Sequence, residues 1–212
     1  GTWLVIRDQI ASVPASWAIS YRFILAALGM FALAAIRRES LSLAPGGMRW
    51  ACLLGLFQFT LNFAMVYNAE SYITSGLVAV MFALLVVPNA IFGRIFLGQQ
   101  ITGPFVVGSA IAAIGVALLF AHEWQSSPAT LSEVLLGAGL TVCGILSASA
   151  ANITQAMEGA KKQPFLALLA WSMAIGVVIN SVFAWATSGP PQFDTRTSYS
   201  LGILYLGLAG SV

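Results

Sequence analysis

Six long apolar segments, separated by short polar breaks, restrict the fold of this chain more than any other feature of its sequence. A helix of roughly 20 residues crosses the roughly 30 Å hydrocarbon layer of a bilayer. Only 8% of the 212 residues are charged, whereas soluble domains carry about 25%. The sequence therefore predicts an all-α, multi-pass protein of the inner or plasma membrane, a polytopic helical bundle surrounded by the lipid bilayer. The predicted spans are residues 15–36, 50–69, 73–96, 103–121, 133–155 and 165–187.

The two ends of the chain are also apolar, but each is too short to cross a bilayer. As helix, residues 1–6 would rise about 9 Å and residues 199–212 about 21 Å. We therefore expect a fragment that holds the end of one helix, six complete helices and most of an eighth.

Basic residues are distributed unequally between alternate loops. One set of loops carries six of them and the other set carries two. Because cytoplasmic loops are enriched in lysine and arginine, the side with six is predicted to be cytoplasmic. The first set is Arg37, Arg38, Arg49, Arg94, Lys161 and Lys162, and the second is Arg7 and Arg196.

The sequence also contains a candidate internal repeat. When Pro14 is placed over Pro164, two apolar segments align, and "LGLFQ" at 54–58 falls over "LGLAG" at 206–210 with a closely similar offset. The aligned segments are predicted to cross the membrane in opposite directions, which is the architecture of many secondary transporters. Few positions are identical, so a chance match between apolar helices is the alternative. We predict a first repeat at 1–121, truncated in its first helix, and a second at 132–212, truncated in its third.

Arg22 is the most informative polar residue because it lies inside the first predicted span. A charged side chain at membrane depth costs between about 2.5 and 17 kcal/mol, so it should face protein, water or a counter-ion. Its guanidinium could bind a substrate carboxylate through two parallel hydrogen bonds. The alternatives are an ion pair with Asp8 or Glu70, or extension of the side chain to the lipid headgroups.

Gln58 and Asn62 lie four residues apart in the second predicted span and therefore share a helix face. Both are predicted to line a substrate cavity, although hydrogen bonds between helices would explain them equally simply. Glu70, at the outer boundary of this span, is expected to be a solvated loop residue.

Three further spans supply candidate substrate-binding residues. Ser75 and Asn89 fall near one face of the third span, and Pro88 removes a backbone hydrogen bond beside Asn89. Such a break can expose carbonyl groups or permit bending, but a kinked packing helix is the alternative. Asn152 belongs to an unusually polar stretch of the fifth span.

Trp171 and Ser172, in the sixth span, complete the predicted site. The repeat alignment places them over Tyr21 and Arg22, so that one half supplies a cation and the other a neutral hydroxyl. An aromatic ring there could stack on an organic substrate, although packing is the commoner role of a membrane tryptophan.

Several classes of function find no support in the sequence. A net charge of +2 with dispersed basic residues is not typical of nucleic-acid binding. The single histidine, His122, and the lack of a CxxC pair argue against haem or metal sites, and no P-loop is present. No intramembrane histidine could activate a serine nucleophile, and there is no filter-like loop of a channel. We therefore expect neither an enzyme nor a cofactor.

Three stretches resemble the EamA-type branch of the drug/metabolite transporter superfamily. The first is "SVPASWAISYRFILAALGMFALAAIRR", where a proline and then an arginine open a helix with a basic end. The second runs from "YNAESYITSG" through "VVPNAIFGRIFLGQQITG" to a glycine-rich helix, and the third is "GAGLTVCGILSASAANITQAMEGAKKQP". Members usually carry a glutamate directly after a leucine–glycine pair at the end of their fourth helix, which corresponds to the third predicted span here. In this chain the pair Leu97 and Gly98 is followed by Gln99 and Gln100 instead.

The resemblance implies about ten helices in two inverted halves, of which about eight are represented in this chain. It further implies a secondary transporter that exports or exchanges small organic metabolites, including amino acids, by alternating access. A cation in the cavity would suit an anionic or zwitterionic substrate. Coupling to protons or to a counter-substrate and the oligomeric state stay open. The alternative is a non-transporting scaffold or receptor subunit, in which the buried polar residues pair with each other.

Overall fold

The computed structural model describes residues 5–6, 8–9, 12–126 and 130–210, and Arg7 lies outside them. In the described part of the chain the regular structure is entirely helical. A single helical turn, Glu158–Lys161, precedes the sixth of the long helices. The helices are α1 (Ala15–Ile36), α2 (Gly47–Ala69), α3 (Ser75–Leu97), α4 (Gly103–Ser126), α5 (Leu131–Ala156), α6 (Phe165–Ser188) and α7 (Thr197–Ala209).

Helices α1 to α6 correspond one to one to the six predicted spans, and each is long and apolar enough to cross a membrane. The prediction of an all-α, multi-pass membrane protein is therefore confirmed. The boundaries differ from the predicted ones by a few residues, because polar and glycine residues at helix ends also take part in the helices. The largest shifts are at the start of α2, which begins at Gly47, and at the end of α4, which extends to Ser126.

Local sequence signals set several of these ends. Thr130 caps α5 by accepting a hydrogen bond from the backbone N–H of Glu133, while the Glu133 carboxylate accepts one from the Thr130 N–H at 2.8 Å. Gly98 ends α3 with a φ of +67°, a conformation that glycine adopts without steric cost. The side chain of Gln99 then folds back against Gly93, so this glutamine packs on the end of α3.

The core of the bundle is formed where α1, α2, α5 and α6 meet. Phe23 of α1 makes edge-to-face contacts with Phe59 and Phe63 of α2, with ring centroids 5.2 and 4.7 Å apart. Helix α4 lies at the periphery, since none of the residues in its most apolar window is buried. In a bilayer, an arrangement of this kind exposes the apolar outer faces to lipid.

Close helix contacts recur at positions that the repeat alignment makes equivalent. A Cβ atom added to Gly55 would lie 2.9 Å from the carbonyl oxygen of Ser172. One added to Gly207 would lie 3.0 Å from the carbonyl oxygen of Arg22. Gly55 aligns with Gly207 and Arg22 with Ser172, so α2 approaches α6 at the same relative position at which α7 approaches α1.

A pair of hydrogen bonds from side chains to loops follows the same pattern. The Tyr21 hydroxyl of α1 donates to the carbonyl oxygen of Gln192, in the loop after α6, at 2.9 Å. The Trp171 indole N–H of α6 donates to the carbonyl oxygen of Leu41, in the loop after α1, at 3.0 Å. Tyr21 and Trp171 are aligned residues, so each of the two helices bonds to the loop that follows the other.

The loops that follow α1 and α5 meet at one end of the bundle, called the basic end below. The Gln163 side-chain oxygen accepts a hydrogen bond from the Ala44 N–H at 2.9 Å, which joins the two loops. These loops and the adjoining helix ends carry most of the basic residues. They are Arg37, Arg38, Arg49, Lys161 and Lys162.

The opposite end is held together by a cluster around Arg196. Its guanidinium donates to the Asp194 carboxylate at 2.6 Å and to the Ser12 hydroxyl at 3.0 Å, and it lies 3.8 Å from Asp8. The backbone N–H and the guanidinium of Arg196 both donate to Asp194 and lower the pKa of that carboxyl. The cluster joins the segment before α1 to the loop before α7.

Candidate functional site

A short π-helical segment, Phe57–Asn62, interrupts α2. The wider turn shifts the backbone hydrogen bonds, and neighbouring helices donate to its carbonyl groups. The Ser147 hydroxyl of α5 donates to the Phe57 carbonyl at 2.8 Å, and the Asn180 amide of α6 donates to the Phe59 carbonyl at 2.8 Å. Segments of this type occur frequently at functional sites. Two of the predicted site residues, Gln58 and Asn62, belong to this segment.

A cavity of about 380 Å³ lies beside the π-helical segment. Its polar lining combines a guanidinium with three side-chain amides, and these come from α1, α2 and α5. The rest of the lining is apolar. The lining residues are Arg22, Gln58, Asn62 and Asn152 together with Ile6, Phe63, Val66, Phe82, Leu85 and Ala148.

Arg22 is almost completely buried, with 2% of its surface exposed. Its guanidinium donates to the Tyr67 hydroxyl at 3.4 Å and to the Gly210 carbonyl at 3.2 Å. It also lies over the rings of Phe63 and Phe23, 4.6 and 5.5 Å from their centroids. Aromatic faces attract a cation by about 0.5 to 2 kcal/mol, which offsets part of the cost of burial.

The burial of Arg22 decides between some of the alternatives for this residue. A side chain with 2% exposure does not extend to the lipid headgroups. Asp8 is paired with Arg196, in the cluster at the end of the bundle opposite the basic end. Arg22 is instead held inside the protein, at the wall of the cavity.

The amide groups of the cavity differ in their partners. Asn152 donates to the side-chain oxygen of Asn89 at 3.3 Å. Asn89 does not line the cavity, but it contacts Asn152, which does. The side-chain oxygen of Gln58 is buried and accepts no hydrogen bond from the described residues. Asn62 is 5% exposed and faces the cavity from the end of the π-helical segment.

Three further predicted substrate-binding residues do not line this cavity. The Ser172 hydroxyl donates to the Leu168 carbonyl of its own helix at 2.6 Å and is fully buried in helix packing. Trp171 points to the loop at the basic end. The Ser75 hydroxyl donates to the Glu70 carboxylate at 2.7 Å near the start of α3.

Glu70 also differs from the expectation of a solvated loop acid. It is only 5% exposed, because the turn between α2 and α3 folds its side chain back onto Ser75. A carboxylate at a predicted helix boundary can be covered by its own turn, which the sequence position does not reveal.

Phe63 and Tyr67 contact Arg22 from α2, and neither was among the predicted site residues. They are spaced four residues apart and follow the polar pair Gln58 and Asn62. The spacing of four residues places Phe63 and Tyr67 on one face of the helix, from which both contact Arg22. Aromatic residues at such spacing are otherwise the usual signature of packing, so only their position beside the polar pair could have indicated a role.

Removal of the Asn180 amide is expected to destabilise the protein, because the Phe59 carbonyl would lose its partner from α6. An Asn180→Leu substitution should lower the free energy of unfolding by about 1 to 3 kcal/mol. Thermal unfolding in detergent measures this change. Asn68→Ala is the matched control, since the exposed Asn68 side chain bonds only to its own helix. Equal midpoints for the two variants would contradict a structural role of Asn180 at the π-helical segment.

The fold and the cavity define a class of protein: a multi-pass helical membrane protein with a cavity between its helices that carries polar side chains, an arrangement typical of transporters. The chain belongs to the EamA-like transporter family, whose model matches residues 1–121. This confirms the resemblance seen in the sequence.

Two relatives extend the similarity over nearly the whole chain. Protein PagO of Salmonella typhimurium is 28% identical, and the match covers 100% of this chain and 68% of that protein. An uncharacterized transporter of Buchnera aphidicola is 24% identical, over 97% of this chain and 67% of the relative. No solved structure matches the chain significantly.

Proposed function

We propose that this protein is a secondary transporter that exports or exchanges small organic metabolites, such as amino acids, by alternating access. One observation carries the proposal: Arg22, Gln58, Asn62 and Asn152 line one central cavity. A buried charge in a membrane protein is expensive and usually serves a substrate or ion pathway. We assign substrate binding to these four residues, with Asn89 supporting Asn152.

The arrangement of polar groups favours transport over a scaffold or receptor role. In a scaffold the buried amides would be expected to satisfy each other in a dry core. Among the described residues one amide–amide pair is present, Asn152 with Asn89, and it is exposed rather than buried in a dry core. The buried oxygen of Gln58 is consistent with a cavity that receives hydrogen-bond donors from a solute.

Two inverted halves, at 1–121 and 132–212, would supply the moving parts of this mechanism. The proposal is supported by the equivalent contacts at Gly55 and Gly207 and by the equivalent hydrogen bonds of Tyr21 and Trp171. In alternating access, one half tilts against the other around a fixed site near the middle of the membrane. The cavity at Arg22 and Asn152, between helices of both halves, is suitably placed for such a site.

Counterflow into liposomes tests the proposal. The purified protein should exchange at least one solute class from a panel of amino acids, monocarboxylates and amines faster than protein-free liposomes do. An Asn62→Leu substitution should reduce that flux roughly tenfold, because one amide hydrogen bond and its desolvation are worth about 1 to 3 kcal/mol. Repeating the assay with and without a proton gradient determines the coupling.

The exposed Asn68 provides the control on the same helix, and Asn68→Leu should transport at the wild-type rate. A folded Asn62→Leu variant with unchanged flux would remove the cavity from the transport path. If no solute exchanges above the background while the protein remains folded, the scaffold or receptor role is favoured instead.

A further inference from the structure

The central cavity is the first of three cavities that follow each other through the bundle. A second cavity, of about 260 Å³, shares Gln58, Phe63 and Asn152 with the first. A third, of about 230 Å³, shares Gln155 and Leu169 with the second. The shared walls place the three in a row that begins at Arg22.

The third cavity lies at the basic end of the bundle. Lys161 belongs to its lining, and 58% of the lysine side chain is exposed. At the opposite end, the Arg196 cluster and a hydrogen bond from the Trp17 indole to the Gly189 carbonyl at 3.3 Å hold the loops together. A solute could therefore approach Arg22 from the basic end without separating these contacts.

The charges along the row have one sign. The linings of the three cavities contain Arg22 in the first and Lys161 in the third, and no carboxylate among the described residues. Glu158 pairs with Lys161 at 3.4 Å from outside the cavity, and both side chains are largely exposed, so solvent screens this pair and Arg22 is the main charge inside the row. A low-dielectric passage lined by one sign of charge concentrates ions of the other sign.

We infer that this row is an anion-selective access path from the basic end to Arg22, and that the substrate is an organic anion. The inference rests on the proposed transport function and narrows its substrate class. An anionic group would be attracted past Lys161 and come to rest near the buried guanidinium. The apolar part of the solute would then contact Phe82, Val66 and Leu85, which line the same cavity.

Thiol labelling tests the path without a substrate. The two cysteines, Cys52 and Cys143, are free and exposed, so both are first replaced by alanine. Single cysteines are then introduced as Gln155→Cys in the path and Leu146→Cys on the outer face of the same helix, where Leu146 is 43% exposed. Membrane vesicles of both orientations are treated with an anionic or a cationic methanethiosulfonate of similar size.

Gln155→Cys should react only when the reagent is added on the side of the basic end, which a Lys162→Cys variant identifies. The rate constant of each reagent is divided by its rate constant with a free thiol in solution, which removes the difference in intrinsic reactivity. The normalised rate of the anionic reagent should be at least about 5-fold higher than that of the cationic one. A Lys161→Gln substitution should reduce this ratio. Leu146→Cys should react slowly and without preference.

A cysteine in the first cavity measures how much Arg22 contributes to the preference for the anionic reagent. Asn152→Cys should show the same preference for the anionic reagent, and Arg22→Gln should reduce it while Arg22→Lys retains it. Labelling of Gln155→Cys no faster than that of Leu146→Cys, or a preference for the cationic reagent, would overturn the inference. Because labelling needs no transported solute, a path that labels as expected without any flux would reject the transport function alone.

Discussion

Replacement of Arg22 by glutamine is expected to reduce substrate flux about 10- to 100-fold at equal amounts of folded protein. Hydrogen bonds to a charged group contribute about 1.5 to 3 kcal/mol, and each 1.36 kcal/mol corresponds to a factor of ten in rate. Arg22→Lys should retain an intermediate rate, since the charge remains but the planar fork of donors is lost. Counterflow of the solute identified in the panel, normalised to correctly folded protein, measures the effect.

Ser172 offers a control for this substitution at the aligned position of the other half. Its hydroxyl bonds to the Leu168 carbonyl of its own helix and does not line the cavity. Ser172→Ala should therefore leave the flux unchanged. Thermal unfolding must accompany both assays, because Arg22 also holds the Tyr67 hydroxyl and the Gly210 carbonyl. If Arg22→Gln and Arg22→Lys both fail to fold, Arg22 has a structural role; a folded Arg22→Gln variant with normal flux would contradict the proposed site.

The length of the apolar segments was sufficient to predict the six membrane helices. A bilayer requires each span to satisfy its own backbone and to be about 20 residues long, so sequence and structure are closely linked. Helix α1 begins and ends at the predicted residues, 15 and 36. The π-helical segment Phe57–Asn62 was not predictable in this way. Its carbonyl groups depend on Ser147 and Asn180, which are distant in sequence.

A residue of the candidate site was predictable from the sequence where its polar side chain was not satisfied by a hydrogen bond within its own helix. Arg22 had to face the interior because of its charge, and Asn62 lies beside it on the cavity wall. Serine gives no such signal, since its hydroxyl can donate to the carbonyl four residues earlier within a helix, as Ser172 does. The sequence allowed the Trp171 side chain to face either the cavity or a loop. In the structure its indole N–H donates to the Leu41 carbonyl, so it faces the loop.

The repeat can be tested through the two aligned glycines. A Cβ atom on Gly55 would lie 2.9 Å from the Ser172 carbonyl oxygen, and one on Gly207 would lie 3.0 Å from that of Arg22. Backbone atoms cannot rotate away, so either alanine must move a pair of helices apart. Overpacking of this kind costs about 1 to 3 kcal/mol. Gly55→Ala and Gly207→Ala should therefore each lower the unfolding midpoint, and by similar amounts.

Gly139, on α5, is the matched control, because a Cβ atom there meets nothing within 4 Å. Gly139→Ala should raise the midpoint slightly, since alanine is favoured over glycine in a helix by about 0.5 to 1 kcal/mol. Thermal unfolding of the three variants in the same detergent makes the comparison. A large loss for Gly55→Ala together with no loss for Gly207→Ala would mean that the two helix crossings are not equivalent. The inverted repeat would then lose its structural support, because the two halves would pack by different contacts at the positions that the alignment equates.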